Sequence, residues 1–305
     1  MSLDVDLLLD RRRLKNHLVM WRTLAVIAFA AALLTGLHTA GFGGDRAHIA
    51  RLTVSGIITE DRKLLRTIAD ASRDPKIKAM IVAINSPGGS VAGGESLHHA
   101  IADFAEKKPV VAVMGGLAAS AGYMIAMPVN RVFARESTVT GSIGVLMETG
   151  EISGLMEKLG VTAEAITSGP LKNQPSLTRS LSPKGREVLL GLVQDMYDQF
   201  VGMVAAGRHM EPDAVRALAD GRAYTGRQAL KLGLIDAIGD EQDARTWLEA
   251  NKDIAKDLPV DELTAPTTLA GRVMTDQIAP MFDGVWKTLI SQRVMLDGPW
   301  ALWHH

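Results

Sequence analysis

A serine and a lysine in this sequence have the residue types that nucleophilic catalysis requires. Ser120 stands among small residues in the stretch 115–123, directly after a predicted buried strand. A substrate can approach such a serine closely. The N–H group of Ala121 would lie near a helix N-terminus, where the helix dipole favours negative charge. Close helix packing also selects Ala, Ser and Gly, so the pattern alone leaves both interpretations open, and it is not a Gly-x-Ser-x-Gly elbow.

A serine hydroxyl becomes a nucleophile only when a base accepts its proton. The eight histidines form no His-x-x-x-His or His-Glu-x-x-His pair, which argues against a zinc site. Nothing in the sequence supports or excludes a Ser–His–Asp triad. A lysine is the known alternative base, and it must be neutral, which normally takes burial. Lys172 is flanked by turn formers and an apolar residue in the stretch 168–173, although most lysines with such neighbours lie at the surface.

A glycine-rich turn is predicted at 85–89, directly after a second buried strand. Pro87 fixes one φ angle, and the two glycines that follow allow backbone conformations that other residues resist. Such a turn can direct backbone N–H groups into a cleft and stabilise an oxyanion. An ordinary tight turn has the same composition, so this interpretation also stays open.

The elements around these residues alternate between strand and helix, which predicts an α/β fold with right-handed crossovers. Apolar runs predict strands at 48–54, 78–84, 109–114 and 129–134, and the intervening patterns predict helices at 60–73, 94–107 and 118–127. Residues 137–180 are expected to be rich in loops. Further helices are predicted at 183–206, 211–219, 226–231 and 241–250, with a turn and strand at 232–236.

Composition excludes several classes of protein. The 305 residues carry 33 Lys and Arg against 34 Asp and Glu, a formal net charge of −1, so there is no overall basic field for nucleic acid. The absence of cysteine rules out disulfide scaffolds, thiolate metal sites and cysteine nucleophiles. A hydrophobic fraction of 47% is too high for a disordered chain.

Part of that apolar content is concentrated near the N-terminus. Residues 23–44 carry no charge. The apolar stretch within them approaches the length of roughly 20 residues that crosses a bilayer. Basic residues precede this segment, which places the N-terminus in the cytoplasm and the later residues across the membrane. A cleaved signal peptide is the rival interpretation, but His38 fits poorly at its cleavage site. We therefore expect a cytoplasmic basic N-terminus at 1–22 and an uncleaved transmembrane anchor at 23–44.

The remaining chain is expected to form one domain at 45–250 and a C-terminal tail, possibly helical, at 251–305. The tail has apolar residues at helical spacing, interrupted by Pro280 and Gly284. It could meet a membrane interface, a partner or the core, and the sequence does not decide among them.

Several ordered motifs give the chain a family resemblance. The stretches 81–90, 119–123 and 140–145 resemble the signal peptide peptidase A family of serine–lysine proteases. Residues 168–172 resemble its lysine motif, and the stretches 220–226 and 232–236 resemble its C-terminal signature. Together these motifs cover roughly residues 48–250. The chain departs from the family at 170–171, where Pro and Leu replace a frequent acidic or aromatic residue.

The resemblance implies a role for each matching residue. Ser120 would be the nucleophile, Lys172 the general base, and Ser142 the hydroxyl that holds the lysine amine. The N–H groups of Gly89 and Ala121 would form the oxyanion hole. The implied fold is α/β, a ClpP/crotonase-like β–α spiral preceded by a single N-terminal transmembrane helix. No cofactor or metal is implied.

The resemblance also implies an activity and an assembly. The short form of the family is a homo-oligomeric ring in which neighbouring subunits share the serine and the lysine. We therefore expect a bacterial inner-membrane serine endopeptidase, with its catalytic domain on the extracytoplasmic side, that degrades cleaved signal peptides and other apolar unfolded peptides. Two alternatives are a crotonase-like acyl-CoA enzyme, which would not explain Lys172, and a non-catalytic membrane scaffold.

Overall fold

The computed structural model describes residues 19–27, 29 and 46–264. Residues 19–27 are helical. Across the described residues, no helix is long and apolar enough to span a bilayer. Most of the expected anchor at 23–44 and all of the tail beyond residue 264 lie outside the described residues. The chain divides into two units, Met1–His48 and Ile49–His305, and the second holds nearly all the regular structure described below.

Strands and helices alternate through the first half of the described chain and helices dominate the second. The strands are β1 (His48–Ile58), β2 (Ile77–Gly89), β3 (Val110–Ala119), β4 (Arg131–Ala134), β5 (Val139–Gly141), β6 (Ala223–Thr225), β7 (Ala237–Ile238) and β8 (Val260–Glu262). The helices are α1 (Arg62–Arg73), α2 (Val91–Ala105), α3 (Ala121–Met124), α4 (Ser153–Lys158), α5 (Pro183–Arg208), α6 (Pro212–Arg216), α7 (Gly226–Lys231) and α8 (Glu241–Asn251).

Among the described residues, the strands form one mixed sheet of eight strands with the order β6-β5-β3-β2-β1-β8, and β4 and β7 extend it from β3. The pairs β2–β3, β3–β4, β3–β5 and β4–β7 are parallel, and β5–β6 is antiparallel. Strand β3 therefore has three neighbours: it pairs with β4 in its first half and with β5 in its last three residues. The C-terminal end of β3 therefore lies beside β5 and not beside β4. The predicted α/β class is confirmed.

The sheet is buried on both faces, as its continuous apolar strands predict. Alternate residues of β2 point to opposite faces, so Met80 and Val82 join one core cluster while Ile81 joins the other. The larger cluster contains side chains of α2, α3 and α5, and the smaller one contains Ala244 and Leu248 of α8. Helices therefore cover both faces, and α3 belongs to the larger cluster.

Several predicted element boundaries were wrong, three of them next to Ser120 or in the strand that reaches Gly89. Strand β1 continues past the expected stop at Gly56, and β2 runs through the predicted turn to Gly89. Pairing with β3 resumes after a register shift, with Ser86 opposite Ala118, so the glycines and proline distort the strand without ending it. Helix α3 begins at Ala121, because pairing with β5 keeps the preceding residues extended.

Candidate functional site

Ser120 occupies a sharp corner between β3 and α3. Its φ of 53° and ψ of −122° are rare for a residue with a side chain, which marks a constrained backbone. The Ser120 N–H donates to the Gly141 carbonyl at 2.9 Å, and the Ser120 carbonyl accepts from the Tyr123 N–H at 2.8 Å. Within residues 46–264 the hydroxyl has no hydrogen-bond partner. The corner thus holds a half-buried serine whose hydroxyl has no partner among the described residues.

Small residues bring β2 and α3 into direct backbone contact around this corner. A Cβ atom on Gly88 would lie 2.8 Å from the Ser120 Cβ atom, and one on Gly122 would lie 2.9 Å from the Ser86 carbonyl oxygen. A Cβ atom on Gly94 of α2 would lie 2.9 Å from that of Ala121. The small residues around Ser120 were open to two explanations, close packing or access to the serine. The structure shows close packing of these residues beside a half-buried Ser120.

Two backbone segments border the Ser120 hydroxyl and could hold an anion. Ala121 is the first residue of α3, where helix geometry gives its N–H group no intrahelical acceptor. Gly88, at φ 111°, lies against Ser120, and Gly89 follows it at the exposed end of β2. The family motif predicts a role for Gly89 and none for Gly88, and the tight approach of Gly88 to Ser120 has no local sequence signal.

Ser142 lies at the same edge of the sheet as Ser120. The register pairs Ala119 with Gly141 in parallel, so the residues that follow each of them, Ser120 and Ser142, emerge side by side. Ser142 also has a left-handed backbone, with φ 48°, and its N–H donates to the Arg222 carbonyl at 2.9 Å. The backbone that leads into β6 therefore fixes the position from which the Ser142 hydroxyl projects.

Lys172 lies in the irregular segment between β5 and α5. Its backbone N–H donates to the Gly169 carbonyl at 3.1 Å, and its side chain is exposed. In the part of the chain that the structure describes, no hydrogen bond joins the Lys172 amine to Ser120 or Ser142. The single chain therefore brings the two serines and Ala121 together and leaves the lysine in solvent.

Comparisons with known proteins identify the family. Residues 102–255 match the family model described as Peptidase family S49. The chain belongs to peptidase family S49. This membership makes it a protease of the serine class, and the matched segment includes both serines and Lys172.

Two relatives of this S49 peptidase carry protease names. It is 38% identical over 247 residues to "Putative protease slr0021" of Synechocystis, covering 80% of this chain and 89% of that protein. It is 33% identical over 267 residues to "Putative signal peptide peptidase SppA" of Enterococcus faecium, covering 83% and 77%. A solved structure of a ClpP1 mutant from Listeria monocytogenes is similar with a TM-score of 0.41 at 16% identity, covering 63% of this chain and 92% of that one.

In the described part of the chain, no histidine is placed to accept a proton from Ser120 through a hydrogen bond. The His98 Nδ1 atom lies 3.0 Å from the Met124 carbonyl oxygen, at the end of α3 away from Ser120. Burial lowers the pKa of His98, although this hydrogen bond opposes the effect. Among the described residues no histidine bonds to Ser120, and no three His, Asp or Glu side chains are grouped to hold a metal.

The C-terminal motif of this S49 peptidase holds α3 in place. The Tyr123 hydroxyl, on a fully buried ring, donates to the Leu234 carbonyl at 2.7 Å, and burial raises the pKa of Tyr123. Two residues later, the Asp236 carboxylate accepts hydrogen bonds from both Arg208 Nη atoms, at 2.7 and 2.9 Å, and from the Val132 N–H at 2.7 Å. The motif recognised at 232–236 therefore supports the helix that follows Ser120.

The segment that carries Lys172 exposes many large apolar side chains. We call it the 146–192 surface, and its exposed side chains are Leu146, Met147, Ile152, Leu155, Leu159, Val161, Ile166, Leu171, Leu177, Val188, Leu190 and Leu192. Ile166 is 97% exposed, and α4 within this segment buries none of its residues. A cavity of about 320 Å³ between Met147 and Leu190 indents it. Soluble monomers rarely expose so many large apolar side chains in one segment.

Proposed function

We propose that this S49 peptidase is a membrane-anchored serine endopeptidase in which Ser120 is the nucleophile and Lys172 the general base. The observation that carries the proposal is the conformation of Ser120, a strained residue at a strand-to-helix corner with an unbonded hydroxyl. Strain of this kind persists where the surrounding structure enforces it, and it concentrates at active sites. The arrangement suits a nucleophile that must reach a peptide carbonyl.

The proposed reaction is acyl transfer in two steps. The neutral Lys172 amine accepts the Ser120 proton while Oγ adds to the carbonyl carbon of the peptide bond. The carbonyl oxygen takes up the negative charge, and the N–H groups of Gly89 and Ala121 stabilise it. The C–N bond then breaks, and the leaving amine takes the proton from the Lys172 ammonium. Water next adds to the acyl ester, giving a proton to the lysine, and Ser120 leaves with that proton restored.

We propose that the lysine reaches the serine of a neighbouring subunit in a homo-oligomeric ring. In one chain the Lys172 amine is exposed and bonds to neither serine. The 146–192 surface, which belongs to the same segment of the chain, has the apolar character of a subunit contact. Burial in such a contact would also favour the neutral amine that a base requires. The Ser142 hydroxyl would then hold the incoming amine.

We propose apolar, unfolded peptides as substrates, including signal-peptide remnants in the membrane. The basic cluster and the uncharged segment at 23–44 support an anchor with the N-terminus in the cytoplasm and the catalytic domain outside it. The relative named "Putative signal peptide peptidase SppA" supports the substrate class. The proposed architecture is the ClpP/crotonase-like β–α spiral that the sequence resemblance implies.

The test is cleavage of a fluorogenic apolar peptide by the purified full chain. Ser120→Ala and Lys172→Ala should each abolish cleavage, while Lys184→Ala, which changes an exposed lysine paired with Glu187, should leave it intact. Full activity in both Ser120→Ala and Lys172→Ala would show that the mechanism is wrong. Co-assembly of the two inactive variants should restore activity, and no recovery would place both residues of the dyad in one chain.

A further inference from the structure

A buried serine lies directly behind the proposed oxyanion hole. Ser86 of β2 is completely buried, and its hydroxyl donates to the Gly56 carbonyl of β1 at 2.6 Å. The same oxygen accepts the Gly88 N–H at 3.1 Å. Both glycines have left-handed φ angles, 71° for Gly56 and 111° for Gly88. One hydroxyl therefore joins the two irregular points of neighbouring strands.

The Gly88–Gly89 segment next to Ser86 is packed through its backbone, because neither residue has a side chain. Gly88 lies against Ser120 at a distance that excludes a Cβ atom, and the Ser86 carbonyl lies equally close to Gly122. A Cβ atom on Gly89 would lie 1.9 Å from the Ile58 carbonyl oxygen, so that residue is confined from the β1 side. The orientation of the backbone at 88–89 is therefore determined by strand contacts and by the Ser86 hydroxyl.

Loss of this hydroxyl would leave two buried polar groups unpaired. The Gly56 carbonyl and the Gly88 N–H would each lose a partner, and buried polar groups that stay unsatisfied are destabilising. The peptide at Gly88 can reduce that cost by rotating toward another acceptor. The Ser86 hydroxyl also lies 3.4 Å from the Gly88 carbonyl oxygen, which belongs to the same peptide group as the Gly89 N–H, so its loss also removes a contact that orients that N–H.

We propose that Ser86 is a positioning residue for catalysis, which orients the Gly88–Gly89 backbone toward the carbonyl oxygen of the substrate. The inference rests on the proposed function, because it assigns Ser86 a part in the oxyanion hole of Ser120. Ser86 acts through the backbone and does not touch the substrate. Its contribution is therefore to the transition state, with little effect on substrate binding.

The experiment compares Ser86→Ala with a matched buried serine in the full chain. Ser72 is also buried, and its hydroxyl donates to the Ala69 carbonyl at 2.8 Å, far along the chain from Ser120. Ser86→Ala should lower kcat by about 10- to 100-fold with KM changed less than about threefold, a smaller loss than removal of a direct donor. Ser72→Ala should leave kcat unchanged, and Ser86→Thr should recover much of the lost rate.

A second measurement separates positioning from stability. A peptide aldehyde forms a tetrahedral adduct with a serine nucleophile, and its oxygen occupies the oxyanion hole. Ser86→Ala should weaken aldehyde inhibition by the same factor as kcat, and binding of a product-like peptide should not change. If Ser86→Ala does not fold, Ser86→Thr and Ser86→Cys replace it, and kcat should fall in the order Ser, Thr, Cys.

Equal kcat in Ser86→Ala and the wild type would overturn the inference, and so would an equal loss in Ser72→Ala. If the alanine variant does not fold, equal kcat in Ser86→Cys and the wild type would overturn it. These outcomes leave the proposed function standing as long as cleavage still depends on Ser120. Full cleavage by Ser120→Ala would instead contradict the proposed function itself.

Discussion

Gly88 packs against Ser120 so closely that a Cβ atom on Gly88 would lie 2.8 Å from the Ser120 Cβ atom and 3.1 Å from the Ala121 nitrogen. Gly88 belongs to β2 and Ser120 directly follows β3, and pairing of Ser86 with Ala118 brings the two residues together. The last residues of β2 thus form one wall of the serine site, and the first residue of α3 forms another.

Gly88→Ala should therefore damage both the fold and the activity. The new Cβ atom meets backbone on two sides, and the φ of 111° is unfavourable for alanine, so we expect a loss of about 2–5 kcal/mol in unfolding free energy. Gly233→Ala is the matched control, because Gly233 has φ 74° and open space around it. It should cost only about 1–2 kcal/mol and leave cleavage intact. Denaturant unfolding and peptide cleavage measure the two effects, and equal losses would contradict the steric argument.

Gly141 and Tyr224 should show coupled stability effects. A Cβ atom on Gly141 would lie 2.7 Å from the Tyr224 Cδ2 atom, so Gly141→Ala forces the ring away from β5, the strand that directly precedes Ser142. We expect Gly141→Ala to cost about 2–4 kcal/mol, and to cost less when Tyr224→Ala has already removed the ring. A double-mutant cycle in urea gives the coupling energy. Additive losses would mean that the ring does not limit this site.

Asp236 should give the protein acid-sensitive stability. Burial alone would raise the pKa of Asp236, but hydrogen bonds from Arg208 and Val132 and the nearby positive charges outweigh burial and lower it. A lowered pKa in the folded state means that this stabilisation is complete above the ordinary carboxyl range and is lost as the pH falls through the folded-state pKa. Asp236→Asn should lower the unfolding free energy by roughly 2 kcal/mol at neutral pH and by less in acid.

Thermal unfolding from about pH 3 to about pH 8 tests this dependence. Asp198→Asn is the control, because the Asp198–Arg216 ion pair is exposed on both sides and exposed pairs contribute little. If Asp236→Asn unfolds with the same difference from wild type at every pH, Asp236 is not responsible for acid-sensitive stability.

Leu190→Glu should weaken assembly. Leu190 is 62% exposed within the 146–192 surface and lines its cavity, so a charge there would have to be buried in a subunit contact. We expect a shift to smaller species in mass photometry and a parallel loss of cleavage. Leu230→Glu, at a residue 39% exposed outside this surface, should change neither. An intact oligomer in Leu190→Glu would exclude this part of the surface from the contact.

The sequence alone predicted the α/β class and the motifs that carry the family membership. Buried strands such as 78–84 are continuous apolar runs, and helix α5 begins at Ser182 and Pro183 as local capping rules predict. These features depend on side chains that are near one another in the sequence. They can therefore be read without knowledge of the partner strands.

Tertiary structure decided the geometry of the site. The strained φ of Ser120 occurs where its N–H bonds to the Gly141 carbonyl of a neighbouring strand. The backbone of Ser142 is held by the carbonyl of Arg222, which lies 80 positions later in the sequence. The sequence predicted a turn at 85–89 and missed both the continuing strand and the buried hydroxyl of Ser86. Local composition cannot encode these relationships, because each depends on a backbone hydrogen bond or a close approach between segments distant along the chain.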